Sequence, residues 1–256
     1  MTSRSIAFLL GLAACGSKTE SSSSSARTID AKRAAEIVAA PDRTDRDRET
    51  DKQRKPVDLL VFIGVAPDMH VADLGAGGGY SSELMARAVG PKGVVIAQDS
   101  PHWDDPGLTK AWTARLARPA LANTKHVMRG WEDPIPPETR DLDVVTFVAA
   151  YHDVVAEKDD ENKLNAAVFA ALKPGGVYVV IDNSAKAGSG KTACEPLHRI
   201  DEQVVRDEVQ HAGFKLVAEG TFMRNTADPR DWNADPGGKD PRVHTQDLFV
   251  LKFVKP

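Results

Sequence analysis

An acidic residue followed by a run of glycines is the place where this chain's backbone best suits a ligand: Asp73-Leu74-Gly75-Ala76-Gly77-Gly78-Gly79-Tyr80. The run leaves an apolar stretch (71–74) and enters a helical pattern (81–89), so it joins a strand to a helix. Glycines there let the chain turn sharply and bring its backbone close to a bound group. Asp99 stands at the end of the next apolar run, where a carboxylate can accept two hydrogen bonds from a ribose diol. Further on, Tyr151-His152-Asp153 directly follows another apolar run, and a histidine there can take a proton near neutral pH. Packing or capping of the strand end is the competing role for that histidine. His198 and Asp201 follow a long loop; they either line an acceptor pocket or begin a helix. Asp153 and Asp182 are residue types that hold divalent ions, but their spacing does not establish a site, so no metal is expected.

Two phosphate-binding patterns are excluded. The dinucleotide pattern Gly-x-Gly-x-x-Gly fails, because its last place is Tyr80 counting from Gly75 and Ser82 counting from Gly77. A P-loop fails too: Gly190-Lys191-Thr192 has the right ending, but the first glycine place holds Ala185. That stretch reads as a flexible segment.

Positioning these residues requires an alternating scaffold. Short apolar strands are expected at 71–74, 94–98, 126–128, 143–149, 177–181, 214–218 and 248–253, with helical patterns at 81–89, 109–116, 161–172 and 198–212. Repeated alternation of this kind predicts an α/β domain with a mostly parallel sheet covered on both faces. The last strand follows an Asp/Pro/Gly-rich stretch (227–241) rather than a helix, so it can enter antiparallel. Ahead of the scaffold, 29–40 has the apolar spacing of a short amphipathic helix. The alternating charges of 42–55 read as a solvated helical face or connector. Pro56 opens a further helix over 57–63 that Gly64 can stop. Trp103 and Trp112 fall after the second strand, either as packing or as a cover over an acceptor.

The chain has 256 residues with 33 Lys+Arg against 37 Asp+Glu, a formal charge of −4. That balance argues against a protein held to nucleic acid by a basic surface. Hydrophobic residues at 41% suffice for a buried core, and no apolar run approaches the roughly 18 residues of a spanning helix. Two cysteines exclude a disulfide framework.

The spacing Asp73-x-Gly75-x-Gly77-x-Gly79 resembles the first motif of class I S-adenosylmethionine-dependent methyltransferases. Residues 141–147 resemble that family's fourth strand. Residues 172–182, with Lys173-Pro174-Gly175-Gly176, resemble its fifth strand and the turn typical of small-molecule members. The likeness spans roughly 56–256. It implies a Rossmann-like sheet of seven strands with an antiparallel last strand, and S-adenosylmethionine as cofactor. Asp73, Gly75, Ala76, Gly77, Gly79 and Tyr80 would then hold the methionine end. Asp99 and Ser100 would meet the ribose, and Trp131 and Glu132, within 129–133, the adenine. Tyr151, His152 and Asp153 would stand beside the methyl group as the catalytic set. Family members that methylate amino groups of nucleic acids carry Asn/Asp-Pro-Pro-aromatic after the fourth strand. Here that place reads Ala149-Ala150-Tyr151-His152, so the resemblance implies O- or N-methylation of a small molecule, with no nucleic-acid partner. A narrower likeness, carried by 45–48, 54–56, 151–153, 198–201 and 249–253, is to a group of exported bacterial predicted methyltransferases.

The N-terminus carries a different message. Arg4, the apolar 6–12 and small residues before Cys15 have the order of an export signal. Leu12-Ala13-Ala14-Cys15 resembles the lipobox of bacterial lipoproteins, which implies cleavage before Cys15 and acylation of its thiol. The polar segment that follows, with serines at 21–25, reads as a tether. The expected organisation is a signal at 1–14, a tether at 15–27 and a single methyltransferase-like domain at 28–256, with a helical extension at 28–64. An exported, lipid-anchored protein on the periplasmic face follows, touching membrane through the anchor only; a cytoplasmic enzyme is the alternative. Because the cofactor is made inside the cell, a non-catalytic ligand-binding lipoprotein that retains the fold is the second functional reading.

Overall fold

Short β-branched runs separated by amphipathic segments settle into one sheet in the computed structural model, which describes Met1 and residues 28–256. Cys15, the lipobox-like segment and the serine tether lie outside the described residues. The strands are β1 (His70–Leu74), β2 (Val94–Asp99), β3 (Thr124–Met128), β4 (Leu142–Val148), β5 (Leu172–Asn183), β6 (Lys215–Gly220) and β7 (Leu248–Val254). Their order across the sheet is β3-β2-β1-β4-β5-β7-β6. Only β7 runs against the rest, pairing antiparallel with both β5 and β6. This is the α/β, Rossmann-like seven-stranded arrangement that the alternation and the strand without a preceding helix predict.

The helices are α1 (Ala31–Val38), α2 (Asp45–Arg54), α3 (Pro56–Ile63), α4 (Tyr80–Val89), α5 (Pro106–Leu116), α6 (Tyr151–Ala156), α7 (Glu161–Ala171), α8 (Cys194–Leu197) and α9 (Glu202–His211). They cover both faces. On one, Phe147, Leu164, Val168, Tyr178 and Phe253 pack together; on the other, Leu59, Leu60, Ile63, Leu84 and Val179. Burial of such side chains stabilises the fold by about 1.5–3 kcal/mol each. The chain leaves β1 toward β2 and β3, then returns to place β4 on β1's other side. In register, Leu74 of β1 faces Gln98 of β2 and Phe147 of β4. The carboxyl ends of these strands therefore open a crevice at the point where the strand order reverses.

Two local expectations change. Within 42–55, the helical reading holds for Asp45–Arg54, but this helix is packed rather than solvated. α2 has no apolar residue, so it rests on a capping box between Thr44 and Asp47, opposite charges at its two ends, and ion pairs. Arg43 Nη2 meets Asp51 Oδ1 at 2.6 Å, Arg115 Nη2 meets Asp47 Oδ1 at 2.9 Å, and the Tyr80 hydroxyl donates to Asp51 at 2.7 Å. The helical pattern at 198–212 begins four residues late, at Glu202. His198 has φ +50, which ends α8, and the Asp201 carboxylate caps α9 by accepting from Gln203 N–H. Asp201 also accepts from Gly188 N–H at 2.7 Å, which pins the 186–190 turn instead of facing a ligand. Tyr151, His152 and Asp153 do follow β4 directly, and they form the first turn of α6.

Candidate functional site

The crevice holds a cavity of about 470 Å3. Its walls come from α2 (Arg46, Thr50, Gln53, Arg54), the glycine turn with Asp73, Trp103, the end of β4 with α6 (Val148, Ala149, His152, Asp153), Asn183, His198, and the 221–247 segment (Asp235, His244, Gln246). Two conformations shape the floor. Gly75 has φ +59, and a Cβ there would lie 2.6 Å from the Cβ of Ala150, so neither the angle nor the space admits a side chain. Gly77 has φ +53, and a Cβ on it would meet nothing within 4 Å. At this point backbone itself faces open cavity.

Asp73 is fully buried beneath the turn. Ser82 Oγ donates to its Oδ2 at 2.6 Å and Thr146 Oγ1 to its Oδ1 at 2.7 Å. Burial raises its pKa to about 6, against the opposing pull of these two hydroxyls. The folded state therefore holds a proton that the unfolded chain has already lost over the range between 3.8 and about 6. Stability falls as pH rises through that window and stays lower above it. Replacing Asp73 with Asn is expected to leave stability unchanged near pH 4 and to raise it by about 1–2 kcal/mol at pH 8. Urea unfolding of the two proteins at both pH values checks this; an equal difference at both would contradict it.

Opposite the turn, His152 is held by Asp182. Its ring Nδ1 lies 2.7 Å from Asp182 Oδ1 and its backbone N–H donates to Asp182 Oδ2 at 2.8 Å. A carboxylate only accepts, so the ring donates through Nδ1 and keeps Nε2 for the cavity. Burial works to lower the His152 pKa, but the Asp182 charge outweighs it and the net shift is upward. Asp153 is pushed up to about 6 by burial. His198 is lowered, first by burial and then by the nearby His152 charge.

The expected site residues separate into two groups. Asp73, Gly75, Ala76, Gly77, Tyr80, His152 and Asp153 line the cavity, together with Trp103 and His198. The others stand behind its walls. Gly79 caps α4 and faces Arg115 and Trp112. Asp99 is sealed: its carboxylate accepts from Gly77 N–H at 2.6 Å and Trp112 Nε1 at 2.9 Å, with His126 Nε2 also at 2.9 Å. Trp112 and His126 stack over one another at 4.3 Å, closing that side. Ser100 and Trp131 both donate to Glu157, and Trp131 is fully buried against Trp103 and Phe147. Glu132 points outward to Lys163 at 2.7 Å. Tyr151 is a core residue, since its hydroxyl donates to Glu208 at 2.8 Å and accepts from Asn165 at 2.7 Å. Its burial among Phe147 and neighbours raises its pKa well above the phenol range, which removes it from proton transfer.

Sequence reasoning missed the α2 contribution. Gln53 Nε2 and Arg54 Nη1 are sealed from solvent and lack a hydrogen-bond partner among the described residues. Two orphaned donors in a cavity wall call for an acceptor from a ligand, because a buried unpaired donor costs about 1–3 kcal/mol. The far wall has the opposite lack in the acceptors Asn183 Oδ1 and Gln246 Oε1, which are likewise sealed and unpartnered, as is the ring nitrogen Nδ1 of His198. The signal for α2 was present in its composition. A wholly polar helix beside a glycine turn has no apolar reason to dock.

No family model and no curated protein matches the sequence. Solved structures do. A SAM-dependent methyltransferase from Aquifex aeolicus superposes with a TM-score of 0.58 at 16% identity, over 89% of this chain and 100% of its own. An arsenic(III) S-adenosylmethionine methyltransferase from Chlamydomonas reinhardtii does so at 0.55 and 14%, over 87% of this chain and 73% of its own. The fold is that of the class I S-adenosylmethionine-dependent methyltransferases. At these identities the likeness is one of fold.

Proposed function

We propose that the protein is an S-adenosylmethionine-dependent methyltransferase acting on a small-molecule hydroxyl or amine. The observation that carries this reading is the pairing in one cavity of a glycine turn floored by Asp73 with the orphaned donors Gln53 and Arg54. These groups suit an amino-acid end: the guanidinium and amide can pair a carboxylate, and Asp73 offers negative charge toward an ammonium. S-adenosylmethionine, when bound, supplies an electrophilic methyl group on sulfur. The chain's own work is positioning, exclusion of water and proton removal. Trp103 and Val148 form apolar wall near the turn. His152 Nε2 takes the acceptor's proton, and Asp182 fixes the tautomer and stabilises the cation that results. Tyr151 has no part in this. Contact between Asp99 and a ribose would require its bonds from Trp112 and His126 to be exchanged.

Calorimetric titration of S-adenosylmethionine into the full chain tests the proposal. One site is expected, weakened at least tenfold in Asp73→Ala; absence of heat from the wild type would sink it. Export and a lipid anchor on Cys15 belong to the same proposal, and mass spectrometry of the mature N-terminus decides them. An unmodified start at Met1 or Thr2 refutes the anchor.

A further inference from the structure

The acceptor wall gathers two imidazoles and a carboxylate at one point. The ligating atoms of His152, Asp153 and His198 all lie within 4.8 Å of one another, on groups that are buried or half-buried. His152 Nε2 and Asp153 Oδ1 are 3.4 Å apart. The first of these is the nitrogen left with a lone pair once Nδ1 donates to Asp182, and the second is an anionic acceptor. Two electron-pair donors at that distance repel unless a proton or a cation lies between them.

The surroundings favour a cation. His198 Nδ1 is sealed and unpartnered, and so is the acceptor Asn183 Oδ1 beside it in the cavity wall, neither having a partner among the described residues; in the tautomer that protonates Nε2, His198 Nδ1 offers a lone pair. His198 is held in place by its backbone. Its carbonyl accepts from Asn183 Nδ2 at 2.9 Å, its N–H donates to Cys194 O at 3.1 Å, and its left-handed φ of +50 turns the ring toward His152, at 5.5 Å between centroids. Asp182, behind His152, repeats the carboxylate–histidine arrangement that orients imidazole ligands of metal ions. Tetrahedral zinc with bonds of about 2.0–2.2 Å puts neighbouring ligand atoms about 3.3–3.6 Å apart. The 3.4 Å pair already has that spacing, and a small side-chain rotation brings in the third atom.

We propose that His152, Asp153 and His198 form a three-ligand site for a divalent transition ion of the zinc type, with Asp182 as the positioning residue and the remaining coordination open to the cavity. Two nitrogens and one carboxylate select a borderline ion over magnesium, which demands six oxygens. The proposal deepens the methyltransferase reading, because the open position faces the acceptor space. An acceptor hydroxyl seated on the ion would lose its proton more readily, and His152 would then act through the ion rather than as a free base.

The test uses the full chain and metal alone. Purified protein is stripped with chelator, titrated with Zn2+ or Mg2+ by calorimetry, and examined with Co2+ by visible absorption. One equivalent of Zn2+ is expected, no comparable binding of Mg2+, and cobalt bands of a four- or five-coordinate site. His198→Asn keeps a residue that tolerates positive φ while removing the imidazole; it should weaken Zn2+ binding by about 100-fold and change the cobalt spectrum. Asp182→Asn should weaken it by roughly 10–100-fold. Circular dichroism melts confirm that each variant is folded, and Asp153→Asn provides an independent ligand deletion if one is not. Substoichiometric Zn2+, equal affinity for Mg2+, or wild-type affinity in both His198→Asn and Asp153→Asn would overturn the site. Titration of S-adenosylmethionine into the same samples separates the two readings. Donor binding without zinc retires only the metal site, and zinc without donor binding retires only the enzyme.

Discussion

Arg199→Met is expected to cost the fold about 3–5 kcal/mol, the loss typical of stranding one member of a buried ion pair. Arg199 has no exposed surface. Its Nη1 meets Asp228 Oδ2 at 2.8 Å and donates to Ser184 O at 3.0 Å, while Nε donates to Trp232 O at 3.0 Å. Its guanidinium also stacks 4.6 Å over the Trp232 ring. Burial pushes the Asp228 pKa up, but the N–H groups of Asp247 and Arg230, together with Arg199, prevail and hold it below the usual carboxylate range. Methionine keeps the volume and removes every donor, leaving a buried anion unpaired. The segment tied down in this way carries Asp235 and Gln246 into the cavity wall, so that wall loosens with it. Urea unfolding should show a lower midpoint with an unchanged slope. A loss below about 1 kcal/mol would mean that the pair is not what holds the segment. Asp228→Asn added to Arg199→Met should recover part of the loss, since the stranded charge goes.

Arg54→Met should separate stability from binding in the opposite sense. Arg54 makes no ion pair among the described residues, its Nη1 is enclosed without a partner, and burial lowers its pKa. The apo protein therefore bears an uncompensated cost that methionine removes, and its thermal midpoint should stay level or rise. S-adenosylmethionine affinity should fall about 100-fold, as expected when a charge-assisted contact to a carboxylate is deleted from an enclosed site. Calorimetry and thermal unfolding on the same sample give both numbers. Unchanged affinity would remove Arg54 from the cofactor end, and a large drop in midpoint would show it to be structural.

Much of the scaffold was readable because strands buried on both faces leave continuous apolar runs, and 71–74, 94–98 and 143–149 fall on β1, β2 and β4. The reversed last strand was readable from the missing helix before it. The glycine turn was readable because Gly75 and Gly77 occupy angles and spaces that other residues resist. Tyr151 was misplaced because adjacent residues on a helix point in different directions. His152 faces the cavity, while Tyr151 turns into the core. Ser100, expected at the ribose, and Trp131 and Glu132, expected at the adenine, stand elsewhere for another reason: Glu157, remote in sequence, draws the first two away from the cavity, and Lys163 takes the third.

The sequence by itself determined the alternation of strands and helices and the acidic glycine turn, because these depend on periodicity and on backbone angles that are local. Only the tertiary structure decided which side chains meet in the cavity. α2 is brought to the glycine turn by long-range ion pairs, His198 to His152 by a left-handed residue closing α8, and Asp99 is sealed by Trp112 and His126. Each of these depends on partners far apart in the chain, and no spacing along it records such a meeting.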